Sequence, residues 1–268
     1  MRLAFIGGGI MAEAIISGVL QGEIANPNDL IIGEPITSRS EYLAQNYKVR
    51  TTGNNRDAIN EADLVILATK PQILGQILDE LCGHLGNSQT VVSIIAGTKL
   101  ATLVKGLDHQ PAIRVMPNTP AQIGAGMSVW TSTKQVSEQA REWTKIILHT
   151  LGKEIEVDDE KYLDMSTAIN GSGPAYVFTF AEALIDAAVH IGLNRTLARD
   201  LVLQTLYGSA KLLLQSDIHP AELRNRVTSP GGTTAEALLE LEQGGFRATI
   251  MNAVAAAYEK SLAIGDGR

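Results

Sequence analysis

Residues 2–16 read Arg2-Leu3-Ala4-Phe5-Ile6-Gly7-Gly8-Gly9-Ile10-Met11-Ala12-Glu13-Ala14-Ile15-Ile16. An apolar run typical of a strand leads into three glycines and then into a helix with apolar periodicity. Gly7, Gly9 and Ala12 fit the pattern G-x-G-x-x-A. In that pattern the first glycine allows a tight turn, the second lets the backbone approach a pyrophosphate, and the alanine lets the helix pack on the strand. The stretch favours dinucleotide binding over an ordinary turn.

Strands and helices alternate from here onward. Predicted strands lie at Leu3–Ile6, Asp29–Gly33, Val49–Thr51, Leu64–Ala68, Val91–Ile95, Ile113–Met116 and Met127–Val129. Predicted helices lie at Met11–Leu20, Ser38–Asn46, Arg56–Glu61, Ile73–Cys82 and Ser137–Thr150. This alternation is typical of an α/β fold with a doubly wound, mostly parallel sheet. We therefore predict a Rossmann domain over residues 1–157.

The sequence changes character after Val157. It becomes rich in alanine and leucine at helical spacing, with candidate helices at Ala175–Ile191, Thr196–Gln215, Pro220–Val227, Thr234–Gln243 and Ala248–Ile264. Several of these helices are apolar around much of their circumference, so they need burial on several sides. We predict that residues 158–268 form an all-α domain through which two copies of the chain dimerise.

Composition narrows the class of protein. Hydrophobic residues make up 45% of the chain, which supports a packed core, and the formal net charge of −7 argues against nucleic acid or an anionic membrane as the main partner. A single cysteine, Cys82, excludes an internal disulfide and is typical of a reducing compartment. We find no signal peptide and no uncharged stretch near the ~20 residues that span a bilayer. We expect a soluble cytoplasmic protein.

Three segments follow predicted strands, at the edge where open α/β sheets bind ligands. They are Ala68-Thr69-Lys70-Pro71, Ile95-Ala96-Gly97-Thr98 and Met116-Pro117-Asn118-Thr119-Pro120. Each alone could be an ordinary turn. All three, however, lie where the first-strand glycines would place the nicotinamide half of a dinucleotide.

The end of the second strand bears on the type of dinucleotide. Glu34 can bind a ribose diol and would repel a 2′-phosphate, which favours NADH. Ser38 and Arg39 could instead hold that phosphate, which favours NADPH. Ser38 also fits a helix N-cap and Arg39 a solvated side chain, so the sequence leaves both cofactors open.

A second glycine turn lies near the C-terminus, where the chain reads Val227-Thr228-Ser229-Pro230-Gly231-Gly232-Thr233-Thr234-Ala235-Glu236-Ala237-Leu238. Consecutive backbone N–H groups in such a turn, aimed by a helix N-terminus, form a concave site for a small anion. The alternative is a plain helix cap, because Thr233-x-x-Glu236 fits a capping box.

These segments together resemble the pyrroline-5-carboxylate reductases, and the resemblance runs over nearly the whole chain. Its most specific match is Val227–Thr234, and Ala68–Pro71, Met116–Pro120 and Gly171-Ser172-Gly173-Pro174-Ala175-Tyr176 add support. The resemblance implies the last step of proline synthesis, in which NAD(P)H gives a hydride to the imine carbon of 1-pyrroline-5-carboxylate. It implies NADPH, with NADH as the alternative, and a homodimer with the substrate site at the subunit interface. A higher assembly of dimers stays open.

The resemblance also implies roles for individual residues. Ser229 and the backbone of Gly232 and Thr233 would bind the substrate carboxylate, and Thr234, as the catalytic residue, would hydrogen-bond the ring nitrogen. The candidate substrate site further includes Gly231 and Asn118. The candidate cofactor site comprises Gly7, Gly8, Gly9, Ile10, Met11, Ala12, Ser38, Arg39, Asn54, Ala68, Thr69, Lys70, Pro71, Ala96 and Gly97. No metal is expected, because the five histidines show no ligand spacing.

Two other classes of protein compete with this interpretation. A β-hydroxyacid dehydrogenase shares the two-domain plan and resembles the chain at Gly171–Gly173, but its catalytic lysine has no counterpart before Lys211. An alcohol oxidation would then lack its base. A non-catalytic nucleotide sensor would keep Gly7–Ala12 and would not need Ser229, Thr233 and Thr234 together.

Overall fold

The computed structural model describes residues 1–265. Its strands are β1 Leu3–Ile6, β2 Leu30–Gly33, β3 Arg50–Thr52, β4 Leu64–Leu67, β5 Thr90–Ser93, β6 Ala112–Met116, β7 Gly126–Ser132 and β8 Gly152–Glu156. Its helices are α1 Ile10–Gln21, α2 Thr37–Tyr47, α3 Asn55–Ile59, α4 Leu74–Leu81, α5 Leu100–Leu107, α6 Glu138–Leu151, α7 Lys161–Ser166, α8 Gly173–His190, α9 Arg195–Gln215, α10 Pro220–Arg226, α11 Thr233–Gln243 and α12 Phe246–Gly265. A π-helical segment, Thr167–Gly171, separates α7 from α8.

The strands form one sheet in the order β3-β2-β1-β4-β5-β6-β7-β8. Every neighbouring pair is parallel except β6 and β7, which are antiparallel. The reversal of strand order between β1 and β4 is the switch point at which doubly wound sheets bind ligands. The predicted α/β class, with its Rossmann sheet followed by a helical region, is confirmed.

Both faces of the sheet are buried. In β1, Leu3 and Phe5 belong to one hydrophobic cluster and Ala4 and Ile6 to the other, and all four side chains are fully buried. A strand covered on both faces carries an uninterrupted apolar run, which is why the sequence of β1 reads as a core strand. The sheet therefore holds the first glycine turn at a fixed place on its edge.

The chain divides into two compact units. The first comprises Met1–Ser172 together with the chain from Ala257 onward, and the second comprises Gly173–Ala256. The predicted boundary lay earlier, after Val157. Helix α7 and the π-helical segment remain with the sheet because Leu163 and Ala168 are buried there. Residues 266–268 of the predicted second domain lie outside the described residues.

Three elements were absent from the predicted set: α5, β8 and α7. Helix α5 has only eight residues and carries Gly106, which lowers its helical signal. Strand β8 lies at the sheet edge and reads Gly-Lys-Glu-Ile-Glu, in which Ile155, itself half exposed, is the one large apolar residue. Short or edge elements owe their structure to tertiary pairing, so periodicity alone does not reveal them.

A buried ionic network ties α7 to the sheet. Arg114 on β6 donates to Asp164 Oδ1 at 2.7 Å and to Glu160 Oε1 at 2.9 Å, and Arg114 and Asp164 are both buried. The same Glu160 oxygen accepts the Leu100 N–H at the start of α5, and Ser261 of α12 lies 3.3 Å from Asp164. Strand β6, the start of α5, α7 with the residue before it, and α12 are thus joined by one network around the Arg114 guanidinium.

Replacing Arg114 with methionine should destabilise the protein by about 3–5 kcal/mol, because it leaves the buried Asp164 carboxylate without its counter-charge. The free energy of unfolding in urea measures this loss. Arg2→Met is the matched control: its ion pair with Glu61 is exposed and should contribute less than about 1 kcal/mol. Similar losses in the two variants would contradict a structural role for the network.

Candidate active site

A cleft of about 620 Å³ opens at the carboxyl ends of β1, β2 and β4. Its walls come from the first glycine turn, the end of β2, the start of α3 and the segment after β4. The lining residues are Ile6, Gly7, Gly8, Gly9, Ile10, Gly33, Glu34, Pro35, Ile36, Arg39, Asn55, Ala68, Thr69, Lys70, Ile73 and Ile77. The structure thus brings the predicted cofactor residues Gly7–Ile10, Arg39 and Ala68–Lys70 to one place.

The three glycines of the turn differ in what an added Cβ atom would meet. Gly7 has φ +97°, and a Cβ there would lie 2.9 Å from the Ala68 carbonyl oxygen. A Cβ on Gly8 would lie 2.6 Å from Leu43 Cδ1. A Cβ on Gly9, by contrast, would meet no atom within 4 Å in the part of the chain that the structure describes. The chain's own backbone requires glycine at 7, and a Cβ at 8 would displace the buried Leu43 side chain, whereas at 9 the space is open to a ligand.

The Glu34 side chain is hydrogen-bonded to the backbone of the cleft. Its buried carboxylate accepts the Gly8 N–H at 2.8 Å through Oε2 and the Ile36 N–H at 2.9 Å through Oε1. Both oxygens therefore support the walls of the cleft. This arrangement differs from the predicted alternative in which Glu34 points its carboxylate at a ribose diol.

Arg39 lies on the cleft wall and contacts the same turn. Its Nε donates to the Gly8 carbonyl oxygen at 2.6 Å, and its Nη2 donates to Glu13 Oε2 at 2.5 Å. Glu13 also accepts the Tyr42 and Tyr47 hydroxyls at 3.0 and 2.8 Å. Burial raises the pKa of the Glu13 carboxyl, but the hydrogen bonds from Arg39, Tyr47 and Tyr42 outweigh it and leave this pKa below its ordinary value. Burial, then the hydrogen bond to Glu13, raises the pKa of Tyr47 to about 12.

Two predicted cofactor residues lie differently from what their sequence position suggests. Asn54 caps α3, since its side chain accepts the Arg56 N–H at 2.9 Å, while its neighbour Asn55 lines the cleft. Ser38 is exposed in the first turn of α2, and the N-cap of that helix is Ile36. The alternative that made Ser38 the helix cap is therefore wrong.

Other predicted cofactor residues surround the cleft or lie beyond it. Ala12 is buried under the turn, and Met11 packs against the core. Pro71, Ala96 and Gly97 line a separate cavity of about 380 Å³ with Leu74, Thr98, Thr102, Ile264 and Gly265. Gly97 has φ +74°, and a Cβ there would lie 2.3 Å from Ile264 Cγ2. The end of α12 thus packs directly on the Ala96–Gly97 turn.

The end of β6 is held by two asparagines. Asn118 Oδ1 accepts the Met127 N–H at 2.9 Å, and Asn170 Nδ2 donates to the carbonyl oxygens of Met116 at 3.1 Å and Met127 at 3.0 Å. In the structure the close approach at Gly171 is to Met116 of the same unit, since a Cβ there would lie 2.5 Å from Met116 Cε.

The second glycine turn lies in the second compact unit, at the start of α11. Gly231 has φ +67°, and the Gly232 N–H donates to the Ser229 carbonyl oxygen at 3.0 Å. Gly232 is the N-cap and offers no side chain, so Thr233 and Glu236 do not form the capping box that the sequence allowed. The amides of Thr233 and Thr234 occupy the first helical positions, which lack intrahelical acceptors. The turn therefore presents N–H donors close to the Ser229 hydroxyl, with Thr234 as the second residue of the helix that follows.

Sequence reasoning missed the apolar side chains of the cleft. Ile36 is 62% exposed and Ile73 is 42% exposed, although both are large hydrophobic residues. They line the same cleft with Ile77 and Pro35, a composition suited to a flat apolar ring such as a nucleobase. Isoleucines in loops carry no motif, so only the fold shows that they share one cleft.

No helix in the described part of the chain is long and apolar enough to cross a membrane. Nor do residues 1–265 contain a group of three or more histidine, cysteine, aspartate or glutamate side chains placed to hold a metal ion.

The sheet, its switch-point cleft and the open Gly9 define a dinucleotide-binding protein of the Rossmann class. Residues 2–97 match the family model of coenzyme F420-dependent NADP oxidoreductases, and residues 160–264 match that of pyrroline-5-carboxylate reductase dimerisation. Pyrroline-5-carboxylate reductase from Synechocystis sp. is 42% identical over 99% of this chain and 98% of its own length. The chain belongs to the pyrroline-5-carboxylate reductase family. The resemblance in its sequence is thereby confirmed, and residues 160–264 are its oligomerisation region.

Solved structures agree with this assignment. The crystal structure of Plasmodium falciparum pyrroline carboxylate reductase with NADP bound is 35% identical, covers 99% of this chain and 98% of its own, and superposes with a TM-score of 0.90. The reductase from Streptococcus pyogenes is 34% identical, covers 98% of each chain and has a TM-score of 0.89.

Proposed function

We propose that this protein reduces 1-pyrroline-5-carboxylate to L-proline with NADPH. The observation that carries the proposal is Gly9, which the chain itself does not need as glycine and which opens the cleft to a pyrophosphate. Family membership supports the reaction, and the bound NADP of the Plasmodium falciparum relative supports the cofactor.

The second glycine turn would hold the substrate. Its ring carries one carboxylate, and the Thr233 amide and the Ser229 hydroxyl are neutral donors suited to one small anion, while Gly232, whose own N–H donates to the Ser229 carbonyl oxygen, keeps this part of the turn closed. Gly231 gives the turn its shape through a positive φ. Thr234 would then contact the ring nitrogen, and Asn118 completes the candidate set.

The reaction asks little of the protein beyond placement. When bound, the reduced nicotinamide supplies a hydride, and the protonated imine is already electrophilic. The residues of the turn therefore act mainly by fixing the distance and angle of the substrate ring. The Thr234 hydroxyl can accept a hydrogen bond from the protonated ring nitrogen or donate one to the amine product.

The end of β2 supports NADPH over NADH. Glu34 has both oxygens engaged by backbone amides, while Arg39 lies on the cleft wall with a positive charge. A guanidinium suits a 2′-phosphate, with the exposed Ser38 as a second donor. Residues Gly7–Ala12, Asn54, Ala68–Pro71, Ala96 and Gly97 remain the proposed contacts for the rest of the dinucleotide.

We propose a homodimer as the unit of assembly. In the second compact unit only Ala181, Ala198 and Val202 are buried hydrophobic residues among those described, whereas Phe178, Leu201, Tyr207, Leu214 and Met251 are at least half exposed. Apolar surface on that scale marks a protein interface. The net charge of −7 favours a small-molecule substrate over nucleic acid or membrane as a further partner, and a single cysteine supports a cytoplasmic location.

The test follows absorbance at 340 nm with purified protein and 1-pyrroline-5-carboxylate, using NADPH and NADH separately. We expect oxidation of NADPH with one proline formed per cofactor consumed, and slower oxidation of NADH. Binding of NADPH without oxidation would replace the proposal with a nucleotide sensor. Oxidation only with a six-membered cyclic imine would move the assignment to another substrate.

A further inference from the structure

Glu13 lies in the first turn of α1, next to the glycine turn, and the dinucleotide motif gives it no role. Its carboxylate nevertheless accepts three side-chain hydrogen bonds, from Arg39, Tyr42 and Tyr47. These donors all belong to α2, so Glu13 joins α1 to the helix that follows β2. Burial raises the pKa of this carboxyl, but the three hydrogen bonds outweigh it and leave the pKa below its ordinary value, so the carboxylate stays ionised at neutral pH.

Arg39 is held in one orientation by this arrangement. Its Nε donates to the Gly8 carbonyl oxygen, its Nη2 is shared by the Gly9 carbonyl oxygen and Glu13, and its guanidinium carbon lies 5.0 Å from the centre of the Tyr42 ring. Nη1 has no hydrogen-bond partner among residues 1–265. The Arg39 side chain remains 26% exposed, so a ligand can reach the guanidinium.

The two partners of this ion pair line different cavities. Arg39 lines the dinucleotide cleft, whereas Glu13 lines a cavity of about 230 Å³ with Ile10, Ala14, Ser17, Tyr47 and Gln122. Arg39 thus presents its positive charge to the dinucleotide cleft, and Glu13 offsets that charge from outside the lining of the cleft.

We propose that Glu13 is a specificity-determining residue that limits the preference for NADPH over NADH by neutralising Arg39. The inference rests on the proposed function, in which Arg39 faces the 2′-phosphate. A phosphate that carries close to two negative charges is attracted by Arg39 and repelled by Glu13, whereas the 2′-hydroxyl of NADH senses neither strongly. Removing the Glu13 charge therefore strengthens binding of one cofactor only.

Glu13→Gln removes the charge with little change of shape. The glutamine oxygen can still accept the two tyrosine hydroxyls, whereas its NH2 group replaces the oxygen that accepts from Arg39, so that hydrogen bond is lost together with the charge. Repulsion between the Glu13 carboxylate and a phosphate at a partly exposed site, screened over a Debye length of about 8 Å, predicts a change of roughly three- to tenfold. We expect the Kd of NADPH to fall by that factor and the Kd of NADH to stay the same.

The measurement is a fluorescence titration of each reduced cofactor, which needs no turnover. The titration tests the proposal even if the protein does not reduce 1-pyrroline-5-carboxylate, because it measures binding alone. Failure of the proposed function and failure of this inference are therefore distinguishable. The matched control is Glu41→Gln on the exposed surface of α2, which changes the net charge equally and should leave the ratio of the two Kd values unchanged.

Arg39 and Glu13 act on the phosphate with opposite signs. Arg39→Gln alone should therefore lower the preference for NADPH, and adding Glu13→Gln should raise it again, because the repulsion between Glu13 and the phosphate does not require Arg39. Glu13→Leu, which also removes the charge, should raise the preference in the otherwise unaltered protein, so the test does not depend on one variant folding. An unchanged or lower preference in both Glu13 variants, or an equal rise in Glu41→Gln, would overturn the proposal.

Discussion

Replacing Gly9 with valine should weaken NADPH binding about 100-fold or more, while the protein keeps its fold. The backbone at Gly9 has φ −67° and ψ −177°, which valine adopts without strain, and a Cβ there meets no atom within 4 Å among residues 1–265. The added branches would instead occupy the space through which a pyrophosphate approaches the turn. Loss of about 3 kcal/mol of pyrophosphate contacts corresponds to that change in Kd.

The measurement combines a fluorescence titration of NADPH with a thermal unfolding curve. Gly75→Val is the matched control, since Gly75 on α4 is also open within 4 Å in the described chain and lies outside the cleft lining. Gly7→Val is the opposite control and should lower Tm, because its Cβ would lie 2.9 Å from the Ala68 oxygen and φ is +97°. Unchanged affinity in Gly9→Val would remove the glycine turn from the cofactor site.

The predictions that succeeded rest on local signals. The apolar run of β1, the glycines after it and the periodicity of α9 are each encoded within a few neighbouring residues. Helix α9 was predicted at Thr196–Gln215 and runs Arg195–Gln215. Strand β8 was missed because its pairing with β7, and not its own sequence, makes it a strand.

The candidate site likewise combines features that are encoded locally in the sequence with features that depend on contacts between distant residues. The sequence placed Gly7–Ile10 and Ala68–Lys70 at strand ends, and strand ends of a parallel sheet share one edge. It left the role of Glu34 open, because that depends on two amides, one of them 26 residues away in the chain. It singled out Asn54, yet Asn55 lines the cleft, since a shift of one residue reverses which side chain points inward. The Glu13–Arg39 pair also spans 26 positions and has no motif.

The second compact unit has a different relation between sequence and structure. Its helices are apolar on several sides, and within the unit most of that surface stays exposed. In a single chain, the apolar faces of these helices therefore lack a surface against which to pack. The match of residues 160–264 to the family's dimerisation model gives a reason: in the homodimer that we propose, a partner chain would complete the burial that one copy cannot provide.

Replacing Thr234 with alanine should lower kcat by about 100- to 1,000-fold and leave the Kd of NADPH within about twofold. A hydrogen bond that strengthens as the ring nitrogen changes from iminium to amine acts on the transition state more than on the bound cofactor. Thr234 is the second residue of α11, directly after the turn that is proposed to hold the substrate. Rapid-quench or steady-state absorbance at 340 nm gives kcat, and fluorescence titration gives the Kd.

Two further variants, one at Thr234 and one at Thr228, sharpen this test. Thr234→Ser keeps the hydroxyl and should retain most of the turnover. Thr228→Val removes a hydroxyl from the same turn, but that hydroxyl donates to the Arg224 carbonyl oxygen at 2.7 Å, so its loss should lower Tm and change kcat little. If Thr234→Ala turned over as fast as the unaltered protein, the ring nitrogen would have to find its partner elsewhere, and positioning by the carboxylate site alone would account for the chemistry. If Thr228→Val and Thr234→Ala lost turnover equally, the effect would belong to the shape of the turn and not to one hydroxyl.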